Sequence, residues 1–98
     1  MAKEIIWTKR AISKFERIAT YLEDHWSFNT AREFAIRTHQ IIEIISEHPE
    51  IGTLEHAQNN IRGFKLTKHN RLFYRVSQKQ IIILNLFDNR RNPSNKSF

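Results

Sequence analysis

Residues 61–66 read Ile-Arg-Gly-Phe-Lys-Leu, residues 71–76 read Arg-Leu-Phe-Tyr-Arg-Val, and residues 81–87 read Ile-Ile-Ile-Leu-Asn-Leu-Phe. The chain then passes through Asp88 and Asn89 to Arg90-Arg91-Asn92-Pro93. The first two segments alternate with a period near two, as half-buried strands do, and the third is a continuous apolar run, as expected of a central strand covered on both faces. Strands are predicted at about 61–67, 70–77 and 80–87. Thr67-Lys68-His69-Asn70 and Ser77-Gln78-Lys79 form turns short enough to make each pair antiparallel neighbours.

Strand parity sorts the basic residues of this stretch. Leu72, Tyr74 and Val76 share one face, while Arg71, Phe73 and Arg75 share the other. On the preceding strand, Arg62 has the parity of Phe64 and Leu66, and Lys65 stands opposite with Ile61 and Gly63. Lys65 and Arg71 are therefore expected on one exposed face, one on each arm of a hairpin. Phe73 either offers a stacking surface between Arg71 and Arg75, useful for bases beside phosphates, or packs beneath the tail. Arg90 and Arg91 leave the last strand either pointing back over the same face or as a solvated stop. Tyr74 reads as structural. His69, beside Lys68 and Arg71, is the one histidine to weigh for proton transfer against a plain solvated turn residue.

Upstream, Lys3–Trp7 reads as a short strand and Thr8 as a helix N-cap. Ala11, Ile12, Phe15, Ile18, Ala19, Leu22 and Trp26 recur at helical spacing over about residues 9–25. A second helix starts near Ser27–Thr30, where Thr30 and Glu33 have capping-box spacing, and ends at His48 before Pro49. Its apolar face is Ala31, Phe34, Ala35, Thr38, Ile41, Ile42 and Ile45. The few residues between the helices predict an antiparallel hairpin. Residues 48–60 read as a polar connection, with Gly52 in a turn and Ile51 or Leu54 anchoring it to the core. The order strand, helix, helix, strand, strand, strand predicts an α+β fold, with both helices on one face of a small antiparallel sheet.

Bulk composition bounds the function. At 98 residues, with 40% hydrophobic and 27% charged residues, the chain is expected to form one globular domain over 1–98, with 92–98 frayed. Residues 1–60 hold seven Lys/Arg and nine Asp/Glu, a balance of −2. Residues 61–98 hold nine Lys/Arg and only Asp88, a balance of +8. Such a split predicts a polyanion or an acidic partner for the basic half. There is no cysteine, so no disulfide and no thiolate metal site, and the five histidines lack zinc-binding spacing. No metal or other cofactor is expected. The N-terminus lacks a signal peptide, and no apolar run approaches the ~18–20 residues that span a bilayer. A cytoplasmic location without a membrane partner is expected. There is no glycine-rich phosphate loop and no nucleophile elbow.

The order and spacing of Ile-Ile-Trp-Thr, the two helices, His-Pro-Glu-Ile-Gly, Ile-Arg-Gly-Phe, Phe-Tyr-Arg-Val and Phe-Asp-Asn-Arg-Arg-Asn-Pro resemble the RelE/ParE superfamily of type II toxin–antitoxin toxins, the plasmid-stabilisation proteins, over nearly the full length. The resemblance implies a toxin held inactive by a cognate antitoxin. RelE-like members cut messenger RNA on the ribosome without a metal; ParE-like members inhibit DNA gyrase without cutting RNA. It carries catalytic roles to Lys65, Arg71 and Arg90 or Arg91 and matches Lys68 more loosely; the basic stretch itself supplies Arg62, Lys68, His69, Phe73 and Arg75 as the surrounding RNA-binding set. RelE-like tails often carry a tyrosine or histidine after the final arginine, and here the tail reads Asn-Pro-Ser-Asn-Lys-Ser-Phe. The leading expectation is a ribosome-dependent mRNA endoribonuclease. The alternatives are a gyrase inhibitor that performs no chemistry, or a non-toxic relative that binds antitoxin or RNA.

Overall fold

The structure, a computed structural model, describes residues 2–89. Strand β1 (Glu4–Trp7) leads into helices α1 (Lys9–His25) and α2 (Phe28–Glu47). A 3-10 turn at Pro49–Ile51 follows, and then strands β2 (Thr53–His56), β3 (Ile61–Lys65), β4 (Asn70–Val76) and β5 (Gln80–Asp88). Each helix starts where its sequence supplies an oxygen for an orphan amide. The Thr8 side chain accepts from the Ala11 N–H at 3.1 Å, and its hydroxyl donates to the Ile83 carbonyl at 2.8 Å, so one residue caps α1 and ties it to β5. Ser27, rather than Thr30, caps α2 by accepting from the Thr30 N–H at 3.0 Å. Helix α2 stops at His48, ahead of Pro49, as predicted.

The sheet runs in the order β1-β5-β4-β3-β2. The three carboxy-terminal strands pair antiparallel as expected, and Lys65 sits directly across from Arg71. Two features correct the sequence reading. Strand β1 lies parallel beside β5, with Glu4 against Gln80 and Trp7 against Ile83, so the sheet is mixed. Within the connection expected to be irregular, Thr53–His56 forms an antiparallel edge strand on β3.

Both helices pack on one face. Phe34, Ile41, Ile42 and Ile45 of α2 and Ala11 of α1 meet Leu66, Leu72, Tyr74, Ile81, Ile83 and Leu86. Each large side chain removed from water in this way contributes roughly 1.5–3 kcal/mol. A ladder of rings crosses the layer boundary: Trp7 meets Phe15 edge-on at 5.7 Å, and Phe15 stacks on Phe34 at 5.4 Å. The α1 stripe is narrower than its periodicity suggests, because Ile12 and Trp26 are exposed. Ile51 and Leu54, expected to anchor the connection, are exposed as well.

Tyr74 supplies that anchor instead. Its hydroxyl donates to the Pro49 carbonyl at 2.7 Å and accepts from the Gly52 N–H at 3.0 Å. A Cβ on Gly52 would lie 2.5 Å from that hydroxyl, so the close approach requires glycine. Burial pushes the Tyr74 hydroxyl above the ordinary phenol value, with the Gly52 amide and the Arg62 charge pulling the other way. No helix among the described residues is long and apolar enough to cross a membrane.

Candidate functional site

The face of the sheet turned away from the helices carries most of the candidate site residues. Lys65 on β3 and Arg71 on β4 are paired neighbours across the ladder, which brings their side chains to the same side. Lys65 is exposed and Arg71 is half-buried. A third member was missed in the sequence: the Arg71 Nη2 donates to the Glu55 Oε2 at 2.9 Å. Glu55 reaches this point because β2 adds at the sheet edge, and because its pairing with β3 shifts register between Leu54 and His56.

Gly63 makes the room. A Cβ there would stand 2.8 Å from the Arg71 Nη2, 2.9 Å from the Glu55 Oε2 and 3.0 Å from the Phe73 ring. The guanidinium and carboxylate therefore lie over bare backbone. A glycine inside a strand marks such an approach, and that was the one sequence signal that could have pointed here. The Arg71 Nε is buried without a hydrogen-bond partner among the described residues. Arg71 thus holds a carboxylate at one end of its guanidinium, while its Nε is closed off from solvent.

The remaining candidates divide. Arg75 is exposed on the same face as Arg71, two same-face positions further along β4 with Phe73 between them. Phe73 shares that face but is fully buried, so it offers no exposed stacking platform. Arg62 lies on the opposite face, where its Nη1 donates to the Gly52 carbonyl at 2.8 Å and the Glu50 carbonyl at 3.2 Å. Its part is to fasten the Pro49–Gly52 turn. Lys68 is exposed in the β3–β4 turn, and His69 lines a cavity on the helix side, away from Arg71. The structure therefore brings together Lys65 and Arg71, sets Arg75 at the far end of the same face beyond Phe73, and separates Arg62 and His69 from them. Arg90, Arg91 and the tail expected to fray lie outside the described residues. Among the described residues, no group of three or more acidic or histidine side chains could hold a metal ion.

A model of the family described as "ParE toxin of type II toxin-antitoxin system, parDE" matches residues 5–93. The chain belongs to this family. It is therefore a toxin of the type II toxin–antitoxin kind. No curated protein matches it. Among solved structures it is similar to the chromosomal ParDE system of P. aeruginosa, with a TM-score of 0.74, 16% identity, and coverage of 89% of this chain and 96% of that one. It is also similar to a free mutant form of the E. coli toxin RelE, with a TM-score of 0.65, 13% identity, and coverage of 95% and 90%. A third is the RelBE2 toxin–antitoxin complex of Mycobacterium tuberculosis, with a TM-score of 0.58, 16% identity, and coverage of 90% and 99%. At these identities the likeness establishes the shared fold of two helices on a sheet.

Proposed function

We propose that this toxin is a metal-independent endoribonuclease acting on messenger RNA at the ribosome, with Glu55, Arg71 and Lys65 at the scissile phosphate. The observation that carries the reading is the Glu55–Arg71 contact at 2.9 Å, on the open face and directly across from Lys65. Cleavage needs an acceptor for the ribose 2′-hydroxyl proton and cations for the charge that grows on the phosphate oxygens. A tail tyrosine or histidine is absent from the sequence, and the Glu55 carboxylate supplies the missing acceptor. In the proposed step Glu55 takes the 2′-hydroxyl proton and the 2′-oxygen attacks the adjacent phosphorus. The bond to the 5′-oxygen then breaks, and that oxygen takes a proton from solvent. Arg71 turns from Glu55 to the phosphate and Lys65 neutralises the second oxygen, leaving a 2′,3′-cyclic phosphate.

The ParE-like reading, inhibition of DNA gyrase without chemistry, is favoured by two observations. Arg71 is already neutralised by Glu55, and Phe73 is buried where a base would stack. One experiment separates the two. The toxin is induced in cells without antitoxin, and mRNA primer extension and gyrase supercoiling are followed together. Codon-dependent cuts lost in both Glu55→Gln and Arg71→Ala support the ribonuclease. Intact mRNA with lost supercoiling supports the gyrase inhibitor and removes the catalytic assignment.

A further inference from the structure

Helix α1 carries its charges against its own dipole. Lys9 and Arg10 occupy the first turn, where no acidic residue stands, and Glu23 and Asp24 occupy the last beside His25. The amino end of a helix is its positive end and favours carboxylates, while the carboxyl end favours cations. Local stability therefore argues for the reverse order. Cations kept where the backbone repels them enlarge the positive field that an anion would meet.

Arg10, Lys14 and Arg17 form one stripe. Spacings of four and three residues set them on one side of the helix, over about 10 Å of its axis. Arg10 and Arg17 are exposed and Lys14 is half-buried. Helix α2 lies elsewhere: it meets α1 through Phe15, whose ring centroid is 5.4 Å from that of Phe34 and 6.4 Å from that of His39. Phe15 points roughly 100–160° round the helix from the three cations, so the acidic end of α2, Glu43 and Glu47, does not cover them. Among the described residues, neither Lys14 nor Arg17 has a carboxylate in salt-bridge contact. The stripe instead borders the end of β5, where Lys14, Arg17, Ile18 and Tyr21 face Leu86 and Asp88 across a cleft of about 60 Å³.

That setting suits a phosphate backbone better than an acidic protein. A cleft of this size seats no bulky side chain, and the exposed Ile12 of α1 lies roughly 140–160° round the helix from the stripe. A protein partner needs a buried apolar anchor for more than a weak contact, whereas a phosphate backbone needs only spaced cations. One strand of a duplex carries roughly three charges over the length of the stripe. We propose that Arg10, Lys14 and Arg17 hold the phosphate backbone of folded ribosomal RNA and so dock the toxin beside its message. The proposal rests on the ribonuclease reading above and gives the stripe a docking role, not a catalytic one. Leu86 and Asp88 at the cleft flank Phe87, which pairs with Arg71, so the stripe and the candidate site approach the same end of the sheet from its two sides.

The test titrates the full-chain toxin against ribosomes carrying no mRNA, at several salt concentrations, so that the message itself contributes nothing. Lys14→Gln/Arg17→Gln removes two cations from the stripe and keeps helix-forming residues in their place. Each phosphate contact adds about 0.7–0.9 to the slope of log affinity on log salt, so the slope should fall by about 1.5. Affinity should drop on the order of 10- to 100-fold at low salt and converge with that of the unaltered toxin at high salt. Lys9→Gln/Arg32→Gln, exposed and off the stripe, makes the same change in net charge and should leave the slope where it was. Equal slopes for the stripe variant and the unaltered toxin overturn the proposal, as do equal losses in the two variants. Weakened antitoxin binding with an unchanged ribosome slope would give the stripe to an acidic protein and equally overturn it. If the unaltered toxin neither binds ribosomes nor cuts mRNA in induced cells, the ribonuclease reading falls as well. If it cuts mRNA while the stripe variant binds ribosomes unchanged, only the docking role is lost.

Discussion

The two faces of the sheet are built from alternate residues of the same strands, yet they do different work. On β4, Leu72 and Tyr74 enter the layer beneath the helices, while Arg71 and Arg75 stand on the side turned away from them. The contrast between Arg62 and Arg71 is sharper still. Both are arginines on neighbouring strands, and one pleat of parity sends Arg62 to backbone carbonyls and Arg71 to a carboxylate. A basic residue in this sheet is therefore read by its face before its charge. The packed core lies on one side and the candidate charged pair on the other, and that division can be broken experimentally.

The largest test concerns the covered face. Phe34→Ala removes a ring stacked on Phe15 and lining the core, and should cost about 3–5 kcal/mol in denaturant unfolding. Exposed Lys65→Ala should stay within about 0.5 kcal/mol by the same measurement. If the two cost alike, the division fails.

Next comes the boundary between the layers. Tyr74→Phe leaves the Pro49 carbonyl and the Gly52 amide without their partner and should cost about 1–3 kcal/mol. It also tests a pH dependence whose sign is fixed. The folded state raises the Tyr74 value above 10.0, so the protonated hydroxyl is favoured on folding. Its contribution is complete below about pH 10 and is lost as pH rises through the folded value. An alkaline limb in a stability profile should therefore flatten in Tyr74→Phe. An unchanged limb would assign it to other groups.

Comparable in stability and larger in meaning is Gly63→Ala. The added methyl must displace the Arg71 guanidinium, the Glu55 carboxylate or the Phe73 ring, at about 1–3 kcal/mol. Toxicity should fall by more than that destabilisation accounts for, because the pair is forced apart. Smallest of all, Glu55→Gln should shift stability by about 1 kcal/mol while abolishing RNA cutting if the toxin is a nuclease, read by melting and primer extension. Equal toxicity with and without the carboxylate would leave Glu55 a purely structural partner of Arg71.

Much of this was legible in the sequence, and for stated reasons. Apolar periodicity placed both helices, Thr8 marked the first cap, and the short β3–β4 turn fixed the register that sets Lys65 opposite Arg71. What escaped lay in segments too short or too polar to carry a period. Thr53–His56 shows no apolar alternation, and the register shift after Leu54 aims Glu55 over Gly63 without any local signal. Parity put Phe73 on the right face but could not say that its own ring would be buried there. Trp26 fitted the helical stripe, yet it falls past the end of α1 and beyond the reach of the core.

The parallel pairing of β1 with β5 has a consequence in time. The opening strand has no seat until residues 80–83 exist, so a nascent chain carries its first element unpaired through most of its own synthesis. Contacts between such distant segments close late, after the local helix hairpin has had ample opportunity to form. A product cut short before residue 80 would keep the β2–β4 ladder but lack β5 and with it the seat of β1. The sheet is thus completed only after the helices that will cover it have been made.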